Sequence, residues 1–350
     1  MKTILRITLL GFLFITLNIQ GQNKLHTVKD SITFFYNDLF EKLETKYLKR
    51  EEVNWNSIKP FIINNATKSE SFEKSLHTVP KLLDTIGCNH CELFADTGSY
   101  KSTLNKALYA DDFSEDFITK LQDNSGYEFE VKLIKKNIGY INMPGMLLIN
   151  IPQDSLNLKT QKMYDTIIHL KDKESVKGWV IDLRFNIGGN AYVMLTALYD
   201  LLGDSVVYNS MDTHGKIIGS NRLENGTFYS NDSLKAKVEV RSKPNLKIPV
   251  ALITGKMTGS AGEDIAVAFK NRKDVIFIGE PTYGLLTGND MFELPFNNKI
   301  ALTLSYVVDE ENKYREYITP DIEISKKDNF KDLTKDENII RAFEFFDKKE

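Results

Sequence analysis

Cysteine is scarce in this 350-residue chain: there are two, Cys88 and Cys91, and both fall in the stretch "GCNHCE". A four-ligand zinc site would need a second pair of ligands that no other cysteine supplies. With no cysteine before Cys88, lipidation at a processed N-terminal cysteine is excluded. Beyond the first residues no run reaches 18 apolar positions, so a later membrane span is excluded as well. Lys/Arg-rich blocks and basic–aromatic interleaving are missing, which leaves a nucleic-acid partner nothing to bind. No internal repeat and no low-complexity linker divides the chain. "NIGGN" lacks the dinucleotide-binding glycine spacing, and "GKMTGS" lacks the Walker spacing, so neither reads as a phosphate loop.

What is present is ordinary for a globular protein. Hydrophobic residues make up 42% and charged residues 27%, with a formal charge of −3. The length suits one large domain or two modest ones. Lys2 and Arg6 precede an apolar stretch from Ile7 to Ile19, too short to span a bilayer comfortably, and Gly21 offers a small residue for cleavage. Residues 1–21 therefore read as a secretory signal peptide. Ile19 fits the small-x-small cleavage rule poorly, so an uncleaved N-terminal anchor is the alternative. Either way the protein is expected outside the cytoplasm: periplasmic, extracellular or membrane-anchored. Loss of Lys2 and Arg6 would take the charge from −3 to −5. In such a compartment Cys88 and Cys91 read as a short-loop disulfide or two free thiols.

Residues 22–126 are expected to form a small helical domain. Ile32, Phe35, Leu39 and Leu43 recur at helical spacing. A further helical stretch ends at Gly87, a suitable C-cap, and "SEDFITKLQDNSG" forms another short helix closed by Gly126. The texture then changes. "YEFEVKLI" alternates as a strand does, and a helix follows at about residues 157–172. Two units then repeat the order strand, small-residue loop, helix: "GWVIDLRFNIGGNAYVMLTALYDLLG", and "KIPVALITGKMTGSAGEDIAVAF" with a further strand after it. Continuous apolar runs such as Val250–Ile253 suit strands covered on both faces. Residues 127–350 accordingly read as an α/β core with a mostly parallel sheet, closed by an amphipathic C-terminal helix.

In open α/β sheets ligands gather beyond the carboxyl ends of the strands. Two loops leave strands in that direction, "RFNIGG" and "GKMTGSAG", and each feeds a helix N-terminus. Ser260 stands at the second corner. Its hydroxyl beside the Ala261 N–H, with a second N–H from Gly188 or Gly189, would make a nucleophile and oxyanion hole if the loops are neighbours. Equally, the glycines and Ser260 would simply let strand and helix pack closely. A serine needs a base. Of the five histidines, His26 lies near the mature N-terminus, His77 and His169 belong to helices, and His214 sits in a polar loop. His90, in a Gly/Cys/Asn turn after a helix, is the best placed to project into a cleft. Lys256 is the competing base, but it lies too near the strand end to be an obvious partner.

The motifs "VIDLRFNIGGN", "TGSAGED", "VIFIGEPTYG" and "YITPDIEI", in this order over about residues 127–326, resemble the tail-specific, or carboxyl-terminal processing, serine proteases. "GCNHCE" matches the upstream Asp-Gly-His-Ser-like turn of that family. The resemblance implies a ClpP/crotonase-like core and a peptidase needing no cofactor and no metal. Its partner is a peptide or an unfolded protein tail. Two departures stand out. The family's lysine base falls at Leu285 here, and the stretch from His90 to Gly139 is too short for the usual PDZ domain. Both departures resemble the nisin-resistance branch, in which serine pairs with a histidine at the position of His90.

The expectation is therefore an exported serine endopeptidase with a Ser260–His90 dyad, acting through an acyl-enzyme. The alternative is a non-catalytic peptide-binding pseudoprotease of the same fold, and a third reading puts metal or redox chemistry at Cys88, His90 and Cys91. The group that orients the imidazole is left among Glu263, Glu280 and Glu316.

Overall fold

The computed structural model describes residues 27–349 apart from 136 and 271, so the expected signal segment and His26 lie outside the described residues. The described residues open with four helices, α1 (Val28–Lys46), α2 (Trp55–Ala66), α3 (Phe72–Ser75) and α4 (Val79–Thr85). Thr27 and Asp30 close a reciprocal capping box on α1, and Ile32, Phe35, Leu39 and Leu43 are fully buried, as their spacing requires. A hairpin, β1 (Glu92–Ala95) and β2 (Gly98–Lys101), then interrupts the stretch expected to be wholly helical.

After α5 (Glu115–Gln122) come β3 (Glu130–Lys135), β4 (Ile138–Asn142), α6 (Gln153–Lys173), β5 (Gly178–Asp182), α7 (Ala191–Ala197) and α8 (Tyr199–Leu202). Four strands follow, β6 (Ser205–Met211), β7 (Ile217–Glu224), β8 (Thr227–Ser230) and β9 (Ser233–Lys237). The chain continues through β10 (Val250–Thr254), α9 (Ala261–Lys270), β11 (Val275–Gly279), β12 (Thr287–Leu294), β13 (Asn298–Val308) and β14 (Ile322–Glu323) to α10 (Glu337–Asp347).

Two sheets result. The first is six-stranded in the order β14-β11-β10-β5-β4-β3, parallel throughout except for the antiparallel β3–β4 pair. Strands β4, β5 and β10 are buried along most or all of their length, which explains their continuous apolar runs. Helices α6–α9 cover one face and α10 the other. Arg184, buried just beyond β5, bonds Asp182, Asp328 and Asp336 and so fastens the segment before α10 to this sheet.

The second sheet was not expected. It has eight strands, ordered β2-β1-β13-β6-β7-β8-β9, with β12 also on β13, and every pair is antiparallel. A hairpin signal for it was in the sequence. Asn225 and Gly226, both at positive φ, form the two-residue turn between Glu224 and Thr227. Through β1–β13 pairing the N-terminal helices share a core with this sheet: Leu93, Ile300 and Leu302 pack against α1 and α4 residues.

Candidate active site

Helix α4 ends in a Schellman motif. The Gly87 N–H donates to Asp84 O at 3.1 Å and the Cys88 N–H to Leu83 O at 2.9 Å, with Gly87 at φ +70°. The chain thus leaves the helix directly into the turn that carries His90. Cys88 and Cys91 are joined in a disulfide across this turn, with Cα atoms 5.5 Å apart. Both sulfurs lie 3.7 Å from Thr303 Oγ1 on β13. The Thr303 hydroxyl donates to Asn289 Oδ1 at 2.8 Å, and the Asn289 amide donates to the His90 carbonyl at 2.7 Å.

Ser260 arrives from the other sheet, one residue before α9 and beyond the carboxyl end of β10. The two loops are neighbours: the Gly259 N–H donates to Asn186 O at 2.9 Å, and Asn186 Oδ1 accepts from the Gly188 N–H at 3.1 Å. A β-carbon on Gly188 would stand 2.8 Å from Ser260 Cβ, and one on Gly262 2.7 Å from Asn186 O, so the close approach demands glycine at both. Ser260 itself has φ +52°. A non-glycine residue held there costs about 1–3 kcal/mol. If only smallness were required at this corner, glycine would be the unstrained choice; the hydroxyl is kept against the backbone's preference.

The hydroxyl lies 3.0 Å from His90 Nε2, and the opposite ring nitrogen, Nδ1, is 2.6 Å from Thr287 Oγ1 at the start of β12. With the proton on Nδ1 donated to Thr287, Nε2 is left to accept from serine. Burial pushes the imidazole down to about 4, so the ring is neutral at neutral pH. The orienting group is thus a threonine. None of the three proposed carboxylates bonds the ring among the described residues, and no feature of the sequence singled out Thr287.

Glu263 does something else. Fully buried, it accepts from the Ser260 N–H (2.9 Å), the Thr282 hydroxyl (2.5 Å), the Gly284 N–H (2.9 Å) and the Leu285 N–H (2.7 Å). The first of these is half of a capping box on α9; in a full box the serine hydroxyl would accept from the Glu263 N–H. Here that N–H goes to Ser260 O at 2.7 Å and the hydroxyl faces His90. Burial raises the Glu263 carboxyl above the usual range, and its four donors pull it back.

Lys256 donates to Asp112 O at 2.9 Å and lies 3.4 Å from Glu280. Leu285 lines the cleft, which puts an apolar side chain where the family's lysine is expected. His77 packs edge-on against Tyr100, His214 faces Glu51, and His169 is exposed on α6. Among the described residues the N–H groups of Gly189 and Ala261 have no acceptor, whereas that of Gly188 is taken by Asn186. His90, Gly188, Gly189, Ser260 and Leu285 line a cleft of about 890 Å³. A smaller cavity of about 440 Å³, at the opposite ends of the strands near Lys135, Lys177 and Lys247, contains none of them.

An α/β core that sets a serine at a helix N-terminus, facing a histidine from a separate layer, has the construction of a serine-type peptidase. The profile of peptidase family S41 matches residues 137–324, more than half of the chain, and the protein belongs to that family. It is 26% identical over 273 residues to the nisin-resistance protein of Lactococcus lactis subsp. lactis, covering 72% of this chain and 83% of that protein. Over 131 residues it is 28% identical to the chloroplastic carboxyl-terminal-processing peptidase 2 of Arabidopsis thaliana, 37% of this chain but 22% of that one. A lipoprotein from Streptococcus agalactiae has the same fold, with a TM-score of 0.66 at 19% identity over 91% of this chain and 96% of the other. So does the photosystem II D1 C-terminal processing protease, at 0.53 and 13% identity over 89% and 97%. No helix among the described residues is long and apolar enough to cross a membrane.

Proposed function

We propose that this serine peptidase is an exported endopeptidase in which Ser260 is the nucleophile and His90 its general base, with no lysine in the reaction. The observation that carries the reading is the 3.0 Å approach of His90 Nε2 to the hydroxyl of a serine at positive φ. As Ser260 Oγ bonds to the scissile carbonyl carbon, its proton passes to Nε2. The carbonyl oxygen becomes an oxyanion, received by the N–H groups of Gly189 and Ala261. His90 then gives the proton to the departing amine, and the C–N bond breaks to leave an ester on Ser260. A water molecule, deprotonated by the same nitrogen, attacks that ester and releases the new carboxyl end with the serine restored. Each step uses groups of this chain and none calls for a cofactor.

Export is supported by the basic and apolar start of the sequence, by the Cys88–Cys91 pairing and by relatives named for nisin resistance and as a lipoprotein. The same names favour a peptide met outside the cytoplasm as substrate. The test is a peptide-library digest by the native chain with Ser260→Ala beside it, together with fluorophosphonate labelling. Cleavage and labelling that both vanish in Ser260→Ala support the reading. Labelling of neither form, with peptides bound intact, would make the protein a peptide-binding pseudoprotease.

A further inference from the structure

The cleft around Ser260 has two unlike walls. One is a face of the antiparallel sheet, whose register brings two cross-strand rows to the cleft. Lys101 pairs with Glu92, which pairs with Ala301, which pairs with Met291; beside this row Phe94 pairs with Lys299, and Lys299 with Glu293. The alternate residues of the same strands, Leu93, Ile300 and Leu294, are buried against the helical layer, which fixes the charged set on the cleft side. The opposite wall is made by the loops after β4 and β5. It presents Leu147, Ile149, Ile151 and Ile187, of which Leu147 and Ile187 are more than half exposed, at 58% and 55%.

An extended peptide sends successive side chains to opposite sides with a period of two. Threaded between these walls, every second residue meets the apolar loops and the residues between meet the charged sheet. Charge on the sheet wall is nearly balanced within itself. Lys299 is 2.5 Å from Glu293, and Lys101 stands directly across from Glu92. We infer that the substrate is an extended peptide segment of alternating apolar and polar residues. This rests on the peptidase reading of the same site and adds the substrate class to it.

The probes are two fluorescent peptides of one composition: apolar and lysine residues alternating, and the same residues in two blocks. Binding is measured on Ser260→Ala by anisotropy and turnover on the native chain. The alternating lysine peptide is expected to bind and turn over about tenfold better than the blocked one, the scale of burying one or two more apolar side chains. Leu147→Asp with Ile151→Asp, both at exposed positions, should abolish the preference for alternation. Equal binding and turnover of alternating and blocked peptides would overturn the inference and leave the peptidase reading standing. Selective binding of the alternating peptide without turnover by the native chain would uphold the inference and overturn the peptidase reading. Neither binding nor turnover of any probe would overturn both.

Discussion

Thr287 Oγ1 meets His90 Nδ1 at 2.6 Å, so a hydroxyl, with no charge of its own, fixes the orientation of the imidazole. A carboxylate at that nitrogen would stabilise the imidazolium; a hydroxyl holds the ring and leaves its basicity to burial. The ring sits well below its ordinary range, at about 4, for that reason.

The pH profile should show it. A histidine free of perturbation titrates near 6.5; here the acid limb of kcat/KM is expected to fall with an apparent pKa closer to 4. Thr287→Asp places a negative charge beside the ring and should move that limb upward by a unit or more. Thr287→Val should lower kcat by roughly 10²-fold through loss of orientation, and Thr287→Ser should restore most of it. The linkage sign is fixed as well. Between pH 6.5 and about 4 the unfolded chain takes up the histidine proton and the folded one does not, so stability falls as pH drops through that window. His90→Gln should remove this part of the slope in denaturation curves, and an acid limb unmoved from 6.5 would contradict the assignment.

Ser260→Ala and His90→Ala should each remove most peptidase activity, and the double variant should be little worse than either, since groups sharing one step are not additive. Ser260→Gly separates chemistry from strain. It should be as inactive as Ser260→Ala but more stable than it by about 1 kcal/mol, because only glycine relaxes at φ +52°. Thermal melts of the two variants read this directly.

Leu285→Lys should not restore lysine catalysis. Its backbone N–H is already bound to Glu263, and its side chain enters the same cleft as the neutral imidazole. A cation there disfavours the imidazolium that forms on proton transfer, so kcat should fall or stay level. A gain in turnover that survives His90→Ala would show that His90 is not the base.

Glu263→Ala should cost more than any single surface change. It leaves the N–H groups of Ser260, Gly284 and Leu285 and the Thr282 hydroxyl unpaired inside the protein, a loss of about 3 kcal/mol or more. Activity should fall with it, because the same carboxylate braces the serine loop and the strand entry that carries Thr287. Unchanged denaturation midpoints would show that the buried donors find other acceptors.

Much of this site was legible in the sequence because its parts are local. Ser260, Ala261 and the Gly188–Gly189 pair each stand in a strand–loop–helix unit whose pattern reveals where the loop points. His90 emerged by elimination among five histidines and by the upstream turn. Thr287 did not, because its meaning lies in a contact with a residue 197 positions away. A threonine entering a strand has the residue type expected there for conformational reasons alone. Glu263 stood among three carboxylates that could orient the imidazole, and its partners lie elsewhere. From sequence a carboxylate three residues after the serine suits either the imidazole or the serine's own N–H, and only the fold of the 282–285 loop chooses. The antiparallel sheet was overlooked because strands β6–β9 are polar on their outer face and were absorbed into the α/β reading, despite the Asn-Gly turn between two of them.

The pairing of β1 with β13 gives the order of synthesis a part in the chemistry. His90 is made early and Ser260 170 residues later, yet the histidine turn is fastened through Asn289 and Thr303, on the strands that follow the serine. Until the ribosome has passed β13 there is nothing to hold base and nucleophile together. A chain ending between Ser260 and β12 would carry both residues without the strands that fasten the histidine turn.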